Sequence, residues 1–298
     1  MGAVSFACLT WSSSLLDKDS GIFSRTAGSR VARMFQNKKF GHIGTLDPMA
    51  SGVLPIAIGK ATKMIPFVEE CNPQTKEYLF SVRFGVDSDT LDITGNITKN
   101  NGRIPTDAEI TAILPTFIGE TMQIPPIFSA VHVGGVRAYE MGRRGQNIEL
   151  LPRKIHIFEL EYMGLRGDSW DFRVLCSRGT YVRAIIRDMA KKLGTVGVAT
   201  MIRRTKSGMH NIKNAVTLDF LENLVNNGCD IGESLMPIDS GLGDIPVLNL
   251  GDTDAELYVH GGFIRVASDD GMVRVYTHNK FIGVGHVSGG ILRPKRTI

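Results

Sequence analysis

No run of about 18 apolar residues occurs in the 298-residue chain: glycine, lysine or proline interrupts each stretch, so no helix is expected to cross a bilayer. Cysteine is scarce. Cys8, Cys71, Cys176 and Cys229 lie far apart, with no C-x-x-C and no histidine at a metal-ligand spacing, which argues against a zinc site and a disulfide framework. Reduced thiols of a cytosol are expected instead. The segment MGAVSFACLTW lacks a basic n-region, and Phe6 stands where myristoylation needs Ser or Thr. A cytoplasmic protein is the expectation, and the Asn96-Ile97-Thr98 sequon is then accidental. Excess charge of one sign is also missing, since 34 Lys and Arg face 30 Asp and Glu; distribution must decide whether a polyanion is bound.

Several motifs are absent as well. Six residues, not four, separate Gly52 from Gly59-Lys60, and Ala61 replaces the Ser or Thr that would hold magnesium in a phosphate loop. There is no G-x-G-x-x-G after a strand, no G-x-S-x-G, no H-E-x-x-H and no zinc-deaminase signature. Nucleotide cofactors and metals are not expected.

What is present can build a sizeable core, 43% of the residues being hydrophobic. Ala27, Val31, Met34 and Phe35 recur at helical spacing behind Ser24, which reads as an N-cap. Tyr78, Phe80, Val82 and Phe84 alternate as a half-buried strand does, and so do Trp170, Phe172, Val174 and Cys176. Thr106 and Glu109 spell a capping box before Ile110, Ile113 and Leu114, with Pro115 ending the helix. Val182, Ile185, Ile186, Met189 and Leu193 mark one helix face that Gly194 closes. Pro237 to Gly251 reads as a linker, followed by a small β domain whose Val273/Val275 and Phe281–Val284 stretches flank a turn at His278-Asn279-Lys280. So small a core is expected to pack on the larger domain.

The richest local pattern is GHIGTLDPMASG, Gly41 to Gly52. Pro48 disfavours the helical region for Asp47, and Gly41, Gly44 and Gly52 permit unusual dihedrals and close approach of a ligand. Turn chemistry alone reads Asp47-Pro48 as a surface turn. The basic residues add a second signal: Arg137, Arg143 and Arg144 beside Tyr139 in a Gly-rich stretch; Arg183, Arg187 and Lys191 at i, i+4 and i+8; Arg203, Arg204 and Lys206; and Arg293, Lys295 and Arg296. Any one cluster reads as a solvated face. Together, interleaved with Tyr78, Tyr139 and Tyr181, they fit RNA, whose phosphates take cations and whose unstacked bases take aromatic planes.

The segment GHIGTLDPMASGVLPIAIGKATK (Gly41 to Lys63) closely resembles the catalytic motif of the TruB family of tRNA pseudouridine synthases. The resemblance continues through KEYLFSVRFGVDSDTLDITG (Lys76 to Gly95), IPPIFSAVHVGGVRAYEMGRRG (Ile124 to Gly145), SRGTYVRAIIRDMAKKLG (Ser177 to Gly194) and MIRRTKSG (Met201 to Gly208). It implies an α+β pseudouridine synthase fold, with a mixed, mainly antiparallel central sheet flanked by helices and loops, over residues 1–243. An RNA-contacting insertion at about 122–152 and a β-rich PUA-type RNA-binding domain at 244–298 complete the implied architecture. The implied activity is isomerisation of uridine-55 in the tRNA T-loop, with Asp47 as nucleophile, base flipping and no cofactor or metal. By the same resemblance Arg183 pairs with the catalytic carboxylate, Tyr78 stacks on the flipped base, Tyr181 and Ile202 line the pocket, and His42 looks out over the T-loop. Asp92 matches another acidic loop residue and, with Arg143, Arg144, Arg203 and Arg204, is a candidate RNA contact. A monomer acting on the tRNA T-arm, away from membranes, is expected. One position departs from the pattern: Asp19 stands where the family has proline. The alternatives are a non-catalytic RNA-binding or tRNA-folding module, a pseudouridine synthase of different site specificity, and a nucleoside hydrolase, which would need a second carboxylate such as Asp92.

Overall fold

In a computed structural model, residues 13–70, 75–99, 101–146 and 148–298 are described; Cys8, Cys71, the opening segment and the side chain of Arg137 lie outside them. The chain divides into two compact units, residues 1–47, 53–74 and 208–298 in one and residues 48–52 and 75–207 in the other.

In the second unit the period-2 stretches become a sheet. The strands run in the order Gly197–Ser207, Lys76–Phe84, Ser169–Cys176, Arg153–Arg166, Gly119–Gln123, each antiparallel to the next. A parallel pairing joins Ser51 and Gly52 to Arg203 and Arg204. One sheet face is apolar: Phe80 stacks on Phe172 with ring centroids 5.2 Å apart, and Phe84 meets Trp170 edge-on. The helix Val182–Lys192 covers part of it. Trp170 Nε1 donates to Asp107 Oδ1 at 3.1 Å, tying in the helix Asp107–Ile113, whose Thr106/Glu109 capping box forms as expected. The other face is polar, with Arg173 set among Glu77, Glu159 and Glu161. Such alternation is what an antiparallel sheet with one wet face requires. Gly194, at φ +67°, ends the Val182–Lys192 helix.

In the first unit the strand Ser13–Lys18 pairs parallel with Val216–Thr217 and antiparallel with Leu235–Met236. The strand Phe40–His42 lies antiparallel to the Ser51–Ile58 strand, Gly41 opposite Ala57 and His42 opposite Ile56. A five-stranded sheet follows in the order Val247–Asn249, Gly271–Thr277, Lys280–Ser288, Ile291–Thr297, Ile264–Arg265. The anticipated turn forms with His278 at φ 47° and Asn279 at φ 61°, the left-handed pair a two-residue hairpin needs. The helix Asp252–Val259, which the sequence reading did not anticipate, buries Tyr258 in this sheet's core.

The Pro237–Gly251 segment is not a linker. Its turns close tightly, as in Leu242 N to Asp239 O at 2.8 Å, and they deliver Leu242 and Ile245 to a core shared with Met64, Val68, Phe281 and Val284. Arg274 donates to Asp239 Oδ2 at 3.1 Å and to Ile245 O at 2.8 Å, and the Tyr276 hydroxyl also reaches Asp239. Composition signalled turns correctly; it could not show that two of their corners are apolar anchors. The small C-terminal sheet thus shares a core with the Met64 and Val68 region, as its size demanded.

Candidate active site

The loop that carries Asp47 is braced within the first unit. Beyond the Phe40–His42 pairing, Ile43 N donates to Pro55 O at 3.0 Å, and His42 Nε2 lies 3.1 Å from Thr45 Oγ1. Gly44 takes φ +69°, and a Cβ on Gly41 would run into the Ile65 side chain. Leu46 is buried and Asp47 half-buried. Ser24 is not the N-cap of its helix; Phe23 is, with no side-chain cap. The Ser24 hydroxyl donates to Leu46 O at 2.8 Å and accepts from Leu46 N at 2.9 Å instead. The turn that lacks the proline at Asp19 is closed by Lys18, whose fully buried ammonium donates to Asp19 O and Ile22 O, each at 2.8 Å.

In the second unit the continuation of the loop meets the Gly197–Ser207 strand. Gly52 takes φ +104°, and a Cβ there would lie 2.8 Å from Arg204 N and closer still to Arg204 O. Only glycine allows both that φ and that approach. Tyr78 lies opposite Arg204 and Val174, and Ile202 opposite Phe80, so Tyr78 and Ile202 share the apolar sheet face; both are buried. Tyr181 precedes the Val182–Lys192 helix, its backbone clasped by Gln123: Tyr181 N donates to Oε1 at 2.9 Å and Nε2 donates to Tyr181 O at 3.2 Å. Tyr181 packs on a small core of Val131, Ala138, Ile148 and Leu150 from the insertion. Gln123, itself buried, carried no sequence signal, because a glutamine at a strand end is ordinary.

The expected basic stripe runs from inside to outside. Arg183 is 3% exposed, and its guanidinium donates to Thr90 O at 2.7 Å and Phe128 O at 2.8 Å, with Asp92 Oδ2 at 3.9 Å. Arg187 is half-buried and Lys191 exposed.

Two of the candidate RNA contacts need correction. Asp92, 4% exposed, accepts from Thr90 Oγ1, Thr94 N and Thr94 Oγ1 and faces Arg183, so it organises its own loop. Arg204 is fully buried. In the sequence it belongs to a basic cluster, but its strand position turns it onto the face of Tyr78, away from solvent. Arg143 and Arg144 are exposed, with Arg143 over the Tyr139 ring at 5.7 Å, and Arg203 is half-buried, donating to Ser51 Oγ at 3.4 Å.

Comparison with known proteins is consistent along the chain. Residues 32–182 match the model of the TruB family pseudouridylate synthase N-terminal domain, and residues 246–298 that of the pseudouridine synthase II TruB C-terminal region. A tRNA pseudouridine synthase B of Caulobacter vibrioides is 45% identical over 241 residues, covering 80% of this chain and 76% of that one. One from Ehrlichia ruminantium is 37% identical over 290 residues, 94% of this chain and 97% of the relative. Among solved structures, a chain of a Cbf5-Nop10-Gar1 complex superposes with TM-score 0.73 at 21% identity, covering 99% of this chain and 87% of that one, a likeness of fold. The chain therefore belongs to the TruB family of pseudouridylate synthases and has the pseudouridine synthase fold, α+β with a β-rich C-terminal region.

Proposed function

We propose that the protein is a tRNA pseudouridine synthase that isomerises uridine-55 of the T-loop, with Asp47 as its nucleophile. The reaction breaks the bond from ribose C1′ to uracil N1 and forms one from C1′ to C5; C5 gives up a proton and N1 gains one. No electrons are exchanged and no group is lost, so a carboxylate that forms and releases an adduct suffices. Attack on C6 of the base, and loss of the uracil through a glycal-type intermediate followed by rotation, both give this balance.

The observation that carries the reading is the mount of Asp47, a half-buried residue that directly follows Leu46, which is buried and held at both backbone polar groups by the Ser24 hydroxyl. Preorganisation of that kind serves chemistry better than a plain turn would need. Tyr78 stacks on the flipped base, Tyr181 and Ile202 line its pocket, and His42 faces the T-loop. Arg183 acts as the cationic partner of the catalytic carboxylate. Flipping costs a few kcal/mol, which stacking on an aromatic plane offsets in part. The exposed Arg143 and Arg144, together with Arg203, meet RNA phosphates. Residues 244–298 form a PUA-like RNA-binding domain whose exposed Arg293, Lys295 and Arg296 offer cations of their own to phosphates. The enzyme acts as a cytoplasmic monomer on the tRNA T-arm.

The test is to incubate a tRNA transcript carrying 5-tritiated uridine with the purified protein, measure tritium release and map pseudouridine. Release with pseudouridine at position 55 is expected, and Asp47→Asn abolishes it while tRNA binding persists. Near wild-type release by Asp47→Asn refutes the nucleophile. Binding without product identifies an RNA-binding module instead.

A further inference from the structure

We propose that Ser24 is a positioning residue for Asp47, an inference that rests on Asp47 being the nucleophile. One hydroxyl grips both backbone polar groups of the residue before it, donating to Leu46 O at 2.8 Å and accepting from Leu46 N at 2.9 Å. A serine hydroxyl can do this because it is donor and acceptor at once. Ser24 is 3% and Leu46 4% exposed, so water does not compete.

Geometry carries the effect to Asp47. Leu46 C=O lies in the same rigid peptide plane as Asp47 N, so holding that oxygen fixes the plane from which the Asp47 side chain departs. On the far side Pro48 restricts the backbone of Asp47. The carboxylate is thereby constrained from both directions in sequence. Ser24 is the first residue of the Ser24–Met34 helix, beside a helix start whose N-cap, Phe23, provides no side-chain hydrogen bond. Serine is among the best capping residues, yet this hydroxyl serves a loop 22 residues away in sequence. A departure from the local rule at a site of chemistry is where function shapes sequence.

The test measures single-turnover pseudouridine formation at saturating tRNA, together with tRNA affinity and melting temperature, for wild type, Ser24→Ala and Ser24→Cys. Misplacing a reacting group by about 1 Å costs on the order of 10²-fold in rate. Ser24→Ala is therefore expected to lower the rate per active site roughly 10- to 100-fold with tRNA affinity unchanged. Ser24→Cys, nearly the same shape with weaker hydrogen bonds, should fall between. A folded Ser24→Ala within about twofold of wild type overturns the proposal, as does a loss explained entirely by a smaller folded fraction. If Ser24→Ala does not fold, Ser24→Cys decides: a wild-type rate per active site overturns the proposal and a lowered one supports it. Failure of the underlying reading is distinguishable, because wild type itself would then form no pseudouridine.

Discussion

Replacing Gly52 with alanine tests how the catalytic loop is held. Gly52 takes φ +104°, and its Cβ would stand 2.8 Å from Arg204 N, 2.9 Å from Arg204 C and nearer still to Arg204 O. An L residue held in such a region costs roughly 1–3 kcal/mol. Ordinary contact needs about 3.5–4.0 Å, so the chain must also retreat by roughly 1 Å. The obstacle is backbone in a paired strand, Arg204 lying opposite Gly52 in parallel register, so the adjustment falls on the loop. Because Gly52 is five residues from Asp47 along a segment stiffened by Pro48, roughly 10²-fold in single-turnover rate is expected to go with it. Urea denaturation and single-turnover tritium release on the same preparation read the two effects. A Gly52→Ala protein with wild-type midpoint and wild-type rate refutes the close-approach argument. One that loses stability but keeps its rate refutes the link to Asp47.

Arg183→Lys keeps the charge but not the planar fork that reaches Thr90 O and Phe128 O, so kcat should drop about tenfold or more with tRNA affinity little changed; an unchanged kcat counts against the role. Lys295→Glu with Arg296→Glu, two exposed residues, should weaken tRNA binding and flatten its salt dependence while the saturated single-turnover rate holds, which filter binding across a salt series checks. Point changes are preferable to truncation, since Phe281 and Val284 share a core with Met64 and Val68. The capping box holds the Glu109 carboxyl down at about 2 against an ordinary 4.5, chiefly through the Thr106 backbone N–H and then Arg103. Its contribution to stability is complete above pH 4.5 and lost as pH falls through about 2, so Glu109→Gln should lower melting temperature near neutrality and lose less on acidification. Burial pushes the His210 imidazole below its ordinary 6.5, so folding disfavours its protonation and stability should fall as pH drops below 6.5; His210→Gln should blunt that fall in a melting series.

Periodicity made much of the fold legible. The alternation at Tyr78–Phe84 and Trp170–Cys176 became paired strands, the Thr106/Glu109 box capped its helix, and Gly194 closed the next. These signals are local, and local chemistry decides them. What failed was reading local signals with distant causes. Ser24 looks like an N-cap from its neighbours, yet its partner is Leu46; Pro237 to Gly251 looks like a linker until Leu242 and Ile245 meet their core. Gln123 has no local signature because its side chain's partner, the backbone of Tyr181, is distant in sequence.

Charge is the sharper case, because a sequence assigns arginines to solvent by default. Arg183 and Arg204 each sit in a basic cluster, and both are buried. Burying an ion costs several kcal/mol that hydrogen bonds only partly return, and an apolar residue of similar size is often as good for stability. Arg183 spends its guanidinium on two carbonyl oxygens and stands 3.9 Å from Asp92. An apolar side chain would leave those oxygens unpaired, so the local structure is built around the cation rather than merely tolerating it. Arg183→Met separates the two roles: if the cation serves only to satisfy these oxygens, stability falls while the rate per folded molecule holds. If it serves chemistry, the rate per folded molecule falls as well, and the second result is expected.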